Sequence, residues 1–246
     1  MNLIFRKIVR IGEKIPIIKN LKPYALKVYN DFEIRKKKRL MKKKGLAILN
    51  EFDHVLTANH IPYSLVFGTL LGAVREKGFI KHDLDIDVGI WYDSDDKKIE
   101  KILTDSGFEL IRRSETDDGK FGKEDTYMKD GIQIDIFYFY PYLEDKDFNA
   151  YTTVFVPFTG YTSIKESIEA KGGVMPIQLI LPFSREVVRV PFESLYLPTI
   201  KNSIDFVEAR YGKNWRIPDP TFVYPKMGDV KCKYRSDKLT KILVWK

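Results

Sequence analysis

The sequence predicts an α/β domain of mixed α+β type, a small mixed sheet flanked by helices, preceded by a basic helical extension. Three observations predict it. Leu84–Val88 and Ile132–Phe137 alternate with the period of two that a half-buried strand requires. Leu46, Leu49, Phe52, Val55 and Leu56, and later Ile200, Ile204, Val207 and Tyr211, recur instead at helical spacing. Charge is also divided along the chain: of the 42 Lys/Arg and 34 Asp/Glu that give a net +8, residues 1–44 hold 15 against 3 and residues 226–246 hold 7 against 2. The middle is therefore acidic, and the division separates a basic extension (1–44), a central domain (45–225) and a basic tail (226–246).

Taken in order, Ile4, Ile8, Ile11 and Ile15 with Arg6, Lys7, Arg10 and Lys14 between them predict a basic amphipathic helix that Pro16 ends. A second basic block packs eight Lys/Arg into residues 35–44, either a solvated helix face or a surface for an anionic membrane. The helix from Gly45 stops before Ile61 and Pro62, and Tyr63–Phe67 predicts a strand running into Gly68 and Thr69. Leu70–Glu76 predicts a short helix closed by Gly78. Asp93–Ser106 predicts a helix with Asp95 and Asp96 in its first turn and Gly107 past its end. Asp130-Gly131 is a two-residue hairpin signal ahead of the strand that carries Asp135. Asn149–Pro191 reads as short strands and loops, and a last helix ends at Gly212.

The bulk numbers exclude several classes. A hydrophobic fraction of 44% with 13% aromatic residues belongs to a chain that folds, and a single cysteine, Cys232, excludes an internal disulfide or a cysteine metal site. No uncharged apolar run approaches the ~20 residues that span a bilayer, and Arg6, Lys7 and Arg10 interrupt any signal-peptide core. The expectation is a cytoplasmic protein, peripheral on the inner face of the plasma membrane through its basic ends. Nucleic acid is not an expected partner, because the basicity is confined to those ends.

The chemistry-bearing constellation is acidic. Asp85 and Asp87, one residue apart on a strand, point to one side, and like charges that close call for a cation. Oxygen ligands suit Mg²⁺ or Mn²⁺, and such an ion completes its shell with water and substrate phosphates. Asp135 projects from a later strand opposite aliphatic neighbours, and Gly68 and Thr69 open a helix whose free N–H groups can meet a phosphate.

The run from Phe67 through Gly68-Thr69-Leu70-Leu71-Gly72 to Arg75, Gly78 and Ile80, followed by Asp83, Asp85, Ile86 and Asp87, resembles the LicD family of phosphotransferases. Ile134-Asp135-Ile136-Phe137 and Tyr211-Gly212 with Trp215 and Pro218 extend the resemblance over roughly residues 46–220. Lys81 and His82 stand where family members commonly have Pro-Trp, and Leu84 interrupts the aspartate run. The resemblance implies a nucleotidyltransferase-like fold and metal-dependent transfer of a phospho-alcohol, phosphocholine or a polyol phosphate, from a CDP-linked donor. The acceptor implied is a hydroxyl of a cell-surface glycan or glycolipid precursor, with CMP released. Asp85, Asp87 and Asp135 are then the catalytic and metal residues, Asp135 as ligand or general base. Gly68, Thr69, Arg75 and His82 are the substrate-binding candidates. Two other readings stand beside this one: an NTP-dependent nucleotidyltransferase, and a non-catalytic module that binds anions or membrane.

Overall fold

The computed structural model describes residues 16–219 and 231–246. The amphipathic helix expected around Ile4–Ile15 lies outside them. The described chain begins with helix α1 (Pro16–Leu40), whose last turn passes through a π-helical turn (Met41–Gly45) into α2 (Leu46–Ala58). Strand β1 (Ser64–Leu65) is only two residues long, because helix α3 (Phe67–Arg75) starts three residues earlier than the sequence pattern suggests. Strand β2 (Ile86–Trp91) starts two residues later than the pattern suggests, so Asp87 stands on it while Asp85, expected on the same strand, lies in the bend just ahead of it. Helix α4 (Asp96–Asp105) is capped by the Asp95 carboxylate, which accepts from Lys98 N at 2.9 Å.

Three antiparallel strands follow, β3 (Glu109–Thr116), β4 (Gly122–Lys129) and β5 (Ile132–Pro141). Asp130 and Gly131 make the turn between the last two with φ of 54° and 82°, the positive pair that a two-residue hairpin requires. The region expected as short strands and loops contains β6 (Ala150–Val156), helix α5 (Ile164–Lys171), β7 (Met175–Leu181) and the hairpin of β8 (Val187–Phe192) and β9 (Leu195–Ile200). Helix α6 (Ser203–Tyr211) ends at Gly212, and β10 (Cys232–Tyr234) and β11 (Thr240–Trp245) complete the chain.

The sheet corrects the expectation of a small one, since among the described residues it has eleven strands in the order β10-β7-β6-β5-β2-β1-β9-β8, with β4, β3 and β11 branching from β5. The branch exists because β5 changes partner along one edge: Ile132–Phe137 pair with β4, and Phe139–Pro141 pair with β6. The two branches meet again where Val174, just ahead of β7, bridges to Thr240 of β11. Residues 231–246, set apart by charge alone as a basic tail, thus supply two strands to the sheet.

β2 and β5 run parallel at its centre, with Asp87 opposite Asp135 and Ile86 opposite Ile134. One face is covered by α3 and α6, whose Phe67 and Phe206 meet Phe137 and Phe139 of β5. Gly89 is needed on this face, since a Cβ there would lie 2.7 Å from Val66 and 2.8 Å from Phe139. The opposite face, with Ile86, Val88, Ile134 and Ile136 fully buried, is covered by α2 and α4, and Phe52 of α2 meets Tyr63 and Phe108 edge-on.

Candidate active site

The site forms where the α3 and α6 face of the central strands is left open. Period-two geometry puts Asp87 and Asp135 on this face side by side, because β2 and β5 are parallel neighbours in register. Phe67 begins α3 at φ 44°, an uncommon conformation for a bulky residue, held by its edge-on contact with Phe137 at 4.7 Å. That turn aims Gly68 N at Asp87 Oδ2, 3.1 Å away. A Cβ at Gly68 would lie 3.0 Å from Asp83 Oδ1 and 3.4 Å from Asp87 Oδ2, so glycine leaves the space in front of the carboxylates clear.

The supports are specific. Asp87 N donates to Thr69 Oγ1 at 2.9 Å, fixing strand to helix. Asp135 accepts from the Thr126 hydroxyl at 2.5 Å and from Gln133 Nε2 at 2.9 Å, with the Arg112 guanidinium 3.7 Å away. Arg112 is ion-paired to Glu124, which is also buried. Asp83 accepts from Ile80 N at 3.0 Å.

A cavity of about 460 Å³ is lined by Asp85, Asp87, Glu124 and Asp135 with Gly68, Arg112 and Ser114, and by Arg210 and Tyr211 of α6. Its electrostatics are those of an acid cluster short of positive charge. Burial pushes the Asp85 carboxyl up to about 6, reinforced by Asp135. Burial likewise pushes Asp83 up to about 7 and Glu124 up to about 7, the latter against the opposing pull of Arg112. Asp87 is raised well above the ordinary carboxylate range by burial and then by Asp85, Asp135 and Asp83.

Among the described residues, no three or more His, Cys, Asp or Glu side chains are gathered as a ready-made metal cage. Mg²⁺ or Mn²⁺ held by one or two carboxylates, and otherwise by water and substrate phosphates, needs no such cage. Asp85 and Asp87, half-buried, mutually repelling and all-oxygen, fit that mode of binding.

The remaining sequence candidates fall elsewhere. Thr69 is fully buried and lines neither cavity, so its hydroxyl holds the strand of Asp87 and does not face a ligand. Arg75 ion-pairs with Glu76 at 2.8 Å and donates to Trp215 O at 3.1 Å, joining α3 to the segment after α6. Arg75 and His82 line a wider adjoining cleft of about 2080 Å³, which shares Tyr211 with the acid cavity. Trp215 is buried and packs in the core. Sequence reasoning missed Arg112, Ser114 and Glu124, because β3 and β4 meet the site only through pairing across the sheet. The one available signal was the alternation of Lys123, Asp125 and Tyr127 with Glu124 and Thr126.

A mixed sheet between helical layers, with an acid cluster facing a glycine turn at a helix start, defines a domain of the nucleotidyltransferase-like class. Residues 60–170, a segment of under half the chain, match the family described as LicD/FKTN/FKRP, nucleotidyltransferase domain. The chain is similar to the ribitol-5-phosphate transferase FKTN of Macaca fascicularis, 29% identical over 169 residues that cover 66% of this chain and 31% of that protein. The Homo sapiens protein of the same name is 28% identical over 169 residues, again 66% and 31%. An uncharacterized protein of Rickettsia prowazekii is 41% identical over 71 residues, 28% of this chain and 26% of its own length. The chain thus spans about a third of the length of the transferases it matches.

Proposed function

We propose that this protein transfers a phospho-alcohol group from a CDP-linked donor to a hydroxyl of a glycan or glycolipid precursor, with Mg²⁺ or Mn²⁺ held by Asp85 and Asp87. The observation that carries the reading is the in-register placement of Asp87 beside Asp135, with Gly68 N–H aimed at the same point. Of the groups the family resemblance implies, a polyol phosphate is favoured over phosphocholine by the name of the relatives, ribitol-5-phosphate transferase. A divalent ion here supplies charge neutralisation for a diphosphate and a better leaving group.

The chain's own residues do the rest. The open space that Gly68 leaves admits a phosphate to the carboxylates. Asp135, oriented by Thr126 and Gln133, takes the proton of the acceptor hydroxyl as it attacks the phosphorus nearer the alcohol. The Arg112 and Glu124 pair keeps Asp135 beside a fixed positive charge. Association with an anionic membrane surface on the cytoplasmic side belongs to the same proposal. It is supported by the basic residues 1–44.

The test is CMP release from a panel of CDP-alcohols with Mg²⁺ and candidate glycans. Release from a CDP-polyol, lost in Asp85→Asn, is the expected result. Pyrophosphate release from an NTP with no CMP from any CDP-alcohol would select nucleotidyl transfer instead.

A further inference from the structure

The basic block of residues 35–44 is not uniformly solvated. Arg35, Lys36, Arg39, Lys42 and Lys43 are exposed, whereas Lys37, Lys38 and Lys44 are half-buried against the domain. Its end is anchored: Met41 is buried, Leu40 packs against the core beside Gly131, and Lys44 pairs with Asp130 at 2.8 Å on the β4–β5 hairpin. Two turns back along the helix, Lys38 Nζ lies 3.3 Å from His82 Nδ1, a contact across 44 residues that brings α1 to the rim of the wide cleft. Lys37, the next residue, exerts its charge on Asp85.

This placement answers an electrostatic problem. Asp85, Asp87, Asp135 and Glu124 line the inner cavity with only Arg112 and Arg210 against them, and Asp83 stands beside it, so the mouth of the site is where further positive charge would favour an incoming diphosphate. Compact ammonium groups on flexible stems at the mouth are suited to the outer oxygens of such a ligand.

We infer that Lys37 and Lys38, the inward face of the basic helix, form part of the substrate site and bind the phosphate groups of an anionic donor. The donor's chemistry rests on the transfer reading above, but the phosphate-binding role is separable from it. The exposed lysines of the same block, Lys42 and Lys43, take no part.

Inorganic pyrophosphate with Mg²⁺ is the probe, titrated calorimetrically into the full chain and its variants at low and moderate salt. K37Q/K38Q is expected to weaken binding by roughly tenfold, K37R/K38R to restore it to within about twofold, and K42Q/K43Q to leave it within about twofold. Melting temperatures should stay within about 2 °C, which excludes loss by unfolding. Equal weakening by both glutamine pairs, no effect of K37Q/K38Q, or no pyrophosphate binding by the wild-type chain would each overturn the inference. Lysine-dependent pyrophosphate binding without CMP release from any CDP-alcohol would uphold it while removing the transfer reading.

Discussion

The two faces of the β3–β4–β5 sheet carry buried carboxylates in opposite states of compensation. On the α4 face, Asp125 is fully buried, yet Arg113 holds both its oxygens at 2.7 and 2.8 Å and the Tyr138 hydroxyl adds a third donor at 3.2 Å. Arg113 also reaches Glu100 of α4, and Lys123 pairs with Asp96 there, so cations and anions interleave. On the opposite face the neighbouring residues, Arg112 and Glu124, look into a cavity that Arg210 also lines, but there Asp85 and Asp87 stand in no ion pair among the described residues. One residue of offset along the same two strands separates a structural ion-pair network from a site that needs a ligand. A buried charge that is matched holds a fold together, and one left unmatched marks where something binds.

The largest expected contrast comes from removing one acid on each face. Asp87→Asn should lower turnover by roughly 10²–10³-fold or more, while leaving the melting temperature unchanged or raised, because it deletes repulsion. Asp125→Asn should leave activity per folded molecule intact but cost about 3 kcal/mol in denaturant unfolding, since it strands Arg113. Equal loss of stability in both variants would erase the distinction between the faces.

The comparison sharpens with pH. Asp85 and Asp83 have carboxyls raised from 3.8 to about 6 and about 7, so between these values the native state holds more protons than the unfolded chain. Their contribution to stability is therefore full at low pH and is lost as pH rises through 6 and 7. Thermal unfolding with EDTA should show it declining over that window, and Mg²⁺ or Mn²⁺ should raise the melting temperature more at pH 8 than at pH 6. A metal-induced shift independent of pH would separate metal binding from these carboxyls.

The smallest effect belongs to the support beneath the site. Thr69→Val leaves Asp87 N without its acceptor and should cost about 1–3 kcal/mol of stability. A kcat/KM reduced several-fold with unchanged affinity for pyrophosphate would identify Thr69 as a positioning residue.

Much of this was legible in the chain. The alternation around Asp85, Asp87 and Asp135, the glycine turn at Gly68, the Asp130-Gly131 hairpin and the amphipathic helix from Leu46 to Ala58 all depend on neighbours within a few residues. Thr69 and Arg75 were visible as residues but not as roles, because helix α3 begins at Phe67 and turns the Thr69 hydroxyl inward, toward the strand. β3 was not legible although it pairs with β4 across a short turn, and the membership of β10 and β11 in the sheet was not legible because their partners are distant in the chain.

The sequence by itself determined that Asp87 and Asp135 stand on strands and which side of each strand they take, because side-chain period is a local property of the backbone. The exact start of β2, which leaves Asp85 in the bend before it, was not local. Only the tertiary structure decided that Asp87 and Asp135 would be neighbours, that Arg112 and Glu124 would join them, and that Lys37 and Lys38 would reach the rim while Lys42 and Lys43 would not. Register between distant strands and the docking of a helix depend on the packing of the whole core, which no local pattern encodes.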